Sequence, residues 1–247
     1  MNPGPYAAPG APPVSTVADV KEAAELMNAK STLTAAQKQK LVPDGSTLAA
    51  WGVTDSSPAK HRQLAERLMF TASAFELGLL GSVLIPALLD DPYDAFATPT
   101  AAGATVDELG AILEGFYAEL GKANELACGH RGIKLSLADN VVLIVSGDTP
   151  KNAFVQSGWG DGTINNSNTL FVRSNGFLQP GWFGKIAPGQ RSNFDPTTGN
   201  LSAGTAVATS TTGALAGVLH AISRGNAQFV SAVTQASYQG VLAPNAP

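Results

Sequence analysis

The stretch that most constrains this chain is residues 140–168, NVVLIVSGDTPKNAFVQSGWGDGTINNSN. It opens with five uncharged aliphatic residues, 141–145. Such a run reads as a strand buried on both faces, the kind found inside a parallel sheet. The apolar character stops at Ser146 and Gly147. About twenty residues of Gly, Asp, Asn, Ser and Thr then precede the next strand-like run, 169–173. A loop this long inside a compact domain is usually functional or disordered. Ligands of parallel sheets bind beyond the carboxyl ends of the strands, where Asp148, Thr149 and Asp161 are expected.

A second strand is expected at residues 82–88, SVLIPAL, with Pro86 placing it at an edge or a bulge. An acidic turn follows, with Asp90, Asp91 and Asp94. Thr105 and Glu108 have capping-box spacing and open a helix to about Leu126, with Val106, Leu109, Ile112, Leu113, Phe116 and Leu120 inward. Strand, helix and strand would make one right-handed βαβ unit. Both acidic loops would then leave the same sheet edge. The fold class expected is α/β: a partial parallel or mixed sheet flanked by helices, with long Gly/Pro-rich loops and helical N- and C-terminal additions.

Around this centre, residues 1–14 form a Pro/Gly/Ala arm, residues 15–240 a single α/β domain and residues 241–247 a loose Pro-rich tail. Helical spacing is present at 17–29, and Thr34 with Gln37 makes another capping box. Ser57 and Pro58 have the N-cap and N1 signature of a helix running to about Leu79. His61 in its first turn is expected to be exposed or locally bonded. Past Arg173 the chain is irregular, with Trp182 and Phe183 tucked against the sheet. Residues 214–223 and 226–238 read as two closing helices.

Hydrophobic residues make up 44% of the chain, enough for a sizeable core, while charged residues make up only 14%. The charged share lies well below the roughly 25% of average soluble proteins, which suggests surfaces covered by a partner. With a net charge of −4 and no basic cluster, nucleic acid is not an expected ligand. Cys128, the one cysteine, reads as a buried structural residue. Residues 1–13 show neither a basic nor an apolar leader segment, so no signal peptide is expected. The longest apolar run, 77–89, is too short and too broken to span a membrane. The location expected is cytoplasmic for the chain as written, and periplasmic if it is exported with a partner.

Zinc is disfavoured by three well-separated histidines. The oxygen ligands Asp91, Asp94, Asp148 and Asp161 would suit a hard cation such as Mg²⁺ or Ca²⁺. The competing reading is ordinary turn chemistry, since Asp bonds its own backbone. The loop around Trp159 and Asn168 is a candidate ligand-binding surface, with Trp182 beside it in sequence.

In order and local pattern, residues 45–225 resemble the C-terminal half of an uncharacterised exported bacterial family related to the alkaline phosphatase and sulfatase superfamily. The likeness is carried by residues 82–88 and their loop, by VVLIVSGDTP at 141–150, by Gly158-Trp159-Gly160-Asp161-Gly162, and by AGVLHAIS at 216–223. Tyr93 and Gly162 stand where that family has histidines, and Asp148 where it has arginine. Two-metal ester hydrolysis needs such ligands to clamp the attacking and leaving oxygens. The resemblance therefore implies a degenerate site on half a fold: a non-catalytic structural or partner-binding protein, needing a second chain or a second copy. The alternatives are a metal-dependent hydrolase of phosphate or sulfate esters, with Asp148 and Thr149 catalytic, and a carbohydrate- or ligand-binding module.

Overall fold

The computed structural model describes residues 33–86, 99–122, 136–146, 170–174, 176–187 and 190–244. Described residues up to Asn140 belong to one compact unit and those from Val141 onward to another.

The first unit is helical. Helix α1 (Ala35–Lys40) starts with the capping box its sequence predicts. Thr34 Oγ1 accepts from the Gln37 N–H at 3.2 Å, and Gln37 Oε1 accepts from the Thr34 N–H at 2.9 Å. Helix α2 (Gly45–Ala50) is capped by Asp44, whose carboxylate accepts from the Thr47 N–H at 2.9 Å.

Helix α3 (Ala59–Glu76) begins one residue later than Ser57 and Pro58 suggest. The Ser57 hydroxyl is occupied in the preceding turn, accepting from the Thr54 N–H at 3.1 Å, and Pro58 takes the cap position. The helix ends in a Schellman turn. Leu79 N donates to Ala74 O and Gly78 N to Phe75 O, with Gly78 at φ 65°. That closure stops α3 at Glu76, short of Leu79.

Helix α4 (Pro99–Lys122) starts six residues before Thr105, so the Thr105–Glu108 pattern lies inside a helix and caps nothing. Proline is tolerated in a first turn and alanine propagates the helix from it. Helices α3 and α4 pack together. The buried face of α4 is Ile112, Phe116, Tyr117 and Leu120, while Val106 is 57% exposed. On α3 the buried aliphatic residues include Leu64, Ala65, Leu68 and Ala72. Trp51, directly after α2, is buried over Gly115 of α4. A short turn of helix, α5 (Leu137–Asn140), packs on α4.

The strand expected at 82–88 is not formed over its described part, 82–86. Leu84 is 96% exposed. A β-branched run becomes a strand only when a partner takes up its N–H and C=O groups, and Pro86 has no N–H to offer. The parallel βαβ unit is therefore absent among the described residues.

The second unit contains all the described strands, and each pairing in it is antiparallel. Strand β1 (Leu143–Ser146) pairs with β2 (Leu170–Arg173), Leu143 opposite Arg173 and Ser146 opposite Leu170. This corrects the parallel or mixed sheet. A short uncharged run looks the same in sequence whichever way its partner runs. Nor is β1 buried on both faces, because half-buried and exposed residues alternate and Ile144 is 42% exposed. The other sheet has the order β3 (Lys185–Ala187), β4 (Gln190–Phe194), β5 (Leu201–Ser202).

Helix α6 (Val207–Ile222) starts seven residues before the expected 214. Helix α7 (Ala227–Val233) is capped by Asn226, whose side-chain oxygen accepts from the Phe229 N–H at 2.9 Å. It stops where Thr234 turns extended, not at Tyr238. The core of this unit is Phe194, Ala216, Val230, Tyr238 and Val241, with Leu178, Phe183 and Leu219 packed against it.

Residues 241–243, expected in a loose tail, close this core. Gln179 N donates to Val241 O at 3.1 Å, and Ala243 N donates to Phe177 O at 2.9 Å. Gly240 N donates to Pro196 O at 2.8 Å, and Gln179 Nε2 to Gly240 O at 2.6 Å. A Cβ on Gly217 would strike Val241 Cγ2, and one on Gly240 would strike the Gly199 backbone. Glycine is required where the segment passes. Phe183 packs on Phe194 with ring centroids 5.4 Å apart, but Trp182 is 64% exposed instead of tucked in.

Candidate functional site

Asp90, Asp91, Asp94, Asp148, Thr149, Trp159, Asp161 and Asn168 all lie outside the described residues, as do Tyr93, Cys128 and Gly162. Among the described residues no three His, Cys, Asp or Glu side chains gather as a metal site, and no helix is long and apolar enough to cross a membrane. The helix expected at 17–29 is likewise outside them.

Three polar arrangements are described. In the helical unit, His61 is buried, neither exposed nor locally bonded. Its Nδ1 pairs with Glu108 Oε2, joining α3 to α4 across 47 residues of sequence. The second is an open groove of about 460 Å³ near Asp44, Met69, Ser73 and Glu119. Hydrogen bonds to Asp44 from the Ser46 hydroxyl and then from the Thr47 N–H and hydroxyl hold its carboxyl down at about 2. Met69 Sδ accepts from the Asp44 N–H at 3.0 Å. Both features are accounted for by helix capping and packing.

The third lies in the second unit, where His220 of α6 is buried between Phe177 and Tyr238. Tyr238 Oη stands 3.5 Å from His220 Nδ1. Burial pushes the His220 pKa below its ordinary value, favouring the neutral imidazole.

The surface offers a different kind of candidate. Val207, Thr211, Leu215 and Ile222 share one face of α6 at spacings of four, four and seven residues, with buried Val218 on the same face between the last two. All four are exposed, the three large apolar ones at 59%, 52% and 54%. No Asp, Glu, Lys or Arg occurs in α6 or α7. From Pro196 to Pro247 the sequence has one such residue, Arg224. On α7, Phe229 is 44% and Val233 54% exposed. An uncharged helix with large apolar side chains in water departs from the usual pattern, in which charges cover the outer face. The sequence signal of this surface is the run from Pro196 to Pro247 with its single charge, a pattern that a search for acidic ligands does not register.

A comparison of the chain with family models, curated proteins and solved structures finds no match in any of the three.

Proposed function

We propose that this chain is a non-catalytic, partner-binding structural protein whose C-terminal helices are covered by another polypeptide. The observation that carries the reading is the exposed face of α6, apolar at Val207, Leu215 and Ile222 and without a charge along its length. Large apolar side chains gathered exposed on one element, with no charge among them, point to an interaction site. Interface cores are depleted in charge relative to ordinary surface. The 14% charged content of the whole chain points the same way.

The test is to isolate the chain from its native source after mild cross-linking and to measure the mass of what it is joined to. The reading expects one stoichiometric assembly. A chain recovered alone, which hydrolyses a generic phosphate or sulfate monoester and loses that activity on Asp148→Ala, would overturn it. The protein would then be the metal-dependent hydrolase, with Asp91, Asp94, Asp148 and Asp161 holding the cation and Thr149 at the reacting centre.

One observation favours a second reading. Trp182 is 64% exposed, and indole faces stack on sugar rings and other flat apolar ligands. A carbohydrate- or ligand-binding module would use it with Trp159 and Asn168. Titration with soluble oligosaccharides, following tryptophan fluorescence in wild type and Trp182→Ala, decides this; no fluorescence change would remove the reading.

A further inference from the structure

We infer that His220 is the pin of an acid-released strap: uptake of a proton by its imidazole frees residues 239–243 from residues 177–179 while the rest of the second unit stays folded. The release needs no partner and no ligand.

The strap is fastened on both sides of this one imidazole. Phe177 packs on His220 with ring centroids 5.8 Å apart, and Tyr238 packs on it at 5.3 Å. Phe177 opens the segment that takes the strap: its carbonyl accepts from the Ala243 N–H, and the Gln179 N–H donates to Val241 O. Tyr238 directly precedes the strap, which begins with the single helical turn Gln239–Val241. His220 is buried between the two halves of the fastening.

A positive charge at this point meets no anion among the described residues packed on it. His220 is the one ionisable residue of α6, and α7 has none. Residues 176–179 bring none, and the strap side brings only the Tyr238 hydroxyl, 3.5 Å from Nδ1. Arg224, one turn beyond His220, is exposed and of the same sign. Strand β4, which carries Arg191, meets α6 where Ser210 donates to Phe194 O, about three turns away. Cations are favoured at helix carboxyl ends, but the last carbonyls of α6 are already taken. Leu219 O accepts from the Ser223 N–H, His220 O from the Gly225 N–H and Ala221 O from the Arg224 N–H. Burial accordingly disfavours the charged ring. Protonation also turns Nδ1 from acceptor to donor, so the Tyr238 hydroxyl can no longer donate to it.

The strap is the part of the unit that gives way most readily. Its buried side chain is Val241, seated over Gly217. When it leaves, Phe194, Ala216 and Val230 keep Leu219 and Phe183 packed against them. Segments with few buried apolar contacts open at lower free energy than the whole fold. One proton is bound per opening, so the open population rises at most about tenfold per pH unit. That rise starts at the ordinary imidazole value of 6.5 and ends at the lowered value of the closed form.

The experiment is amide hydrogen exchange of the full chain, read residue by residue by NMR between roughly pH 8 and pH 5 and corrected for intrinsic exchange. Gln179, Gly240 and Ala243 report the strap, and Asp195, bonded to Asn200 O, reports the body. Strap protection should fall as the pH drops below 6.5, by up to about tenfold per unit, while Asp195 keeps its protection. His220→Asn should remove the pH dependence of the strap amides. If that variant does not fold, the His220 imidazole signal of wild type replaces it: its midpoint should lie below 6.5 and coincide with the loss of strap protection. Strap and Asp195 losing protection together would make His220 a determinant of whole-unit stability only and overturn the strap. So would a folded His220→Asn protein with the wild-type pH dependence, or a His220 that titrates while the strap amides stay protected.

Discussion

Gly110 and Gly115 sit five residues apart in α4 and should respond to alanine in opposite directions. A Cβ on Gly110 meets nothing within 4 Å. There Gly→Ala acts through the backbone alone and should stabilise by about 0.5–1 kcal/mol. A Cβ on Gly115 would lie 2.5 Å from both Cδ1 and Cδ2 of Trp51, whose side chain is buried, at 4% exposure. Carbon atoms pack best at roughly 3.5–4.0 Å, so the indole must retreat by about 1 Å. Overpacking of this kind costs about 1–3 kcal/mol, and a retreat so large against a buried ring belongs at the upper end. After the helix-propensity gain, Gly115→Ala should lose about 2 kcal/mol, separating the two variants by about 3 kcal/mol. Urea unfolding followed by far-UV circular dichroism gives both values against wild type. If both alanines stabilise equally, Trp51 does not rest on Gly115 and the packing of its ring against α4 is wrong.

Glu108→Ala leaves His61 buried without its partner and should destabilise the helical unit by about 1–3 kcal/mol; a double-mutant cycle with His61→Ala in urea melts checks it, and a zero coupling energy would refute the pair. His220 should make the second unit acid-sensitive. Its folded pKa lies below the unfolded value of 6.5, so the unfolded chain binds the extra proton. Stability is then full above 6.5 and falls as the pH drops from there toward the lowered value. Replacing His220 with asparagine should flatten that stretch of the stability–pH curve. Asp44 acts at lower pH. Its carboxyl is depressed from 3.8 to about 2, so its contribution is present above 3.8 and is lost on acidification toward 2. Asp44→Ala should weaken the start of α2, and Asp44→Ser should restore most of it, as read by thermal melts at neutral pH.

The features legible from sequence are those set by residues a few positions apart. Thr34 and Gln37 cap α1 through bonds three residues long, and the helices at 59–76 and 99–122 follow their apolar stripes. The same local rule failed at Thr105 and Glu108. Their spacing mimics a start, but Pro99 had already set the backbone and Glu108 turns to His61, 47 residues away. Strand partners are no more local than that. Residues 82–86 have a strand's composition and no strand, while 143–146 found an antiparallel neighbour in 170–173. Of the candidate site, the residues of the acidic and Gly/Asn-rich stretches lie outside the described structure. The apolar face of α6 was hidden because its exposure depends on which side of the helix meets Phe194, Val230 and Val241.

The clasp of Phe177–Gln179 on Val241–Ala243 sets the order of events when the second unit forms. Its closing bonds join positions more than sixty residues apart, and loop-closure entropy must be met before they return anything. The pair α6–α7 can associate early, but the unit stays open until the Val241 segment arrives between Gly199 and Gly217. A nascent chain ending before Tyr238 would hold its helices with an uncovered centre, a species ready to stick to its neighbours.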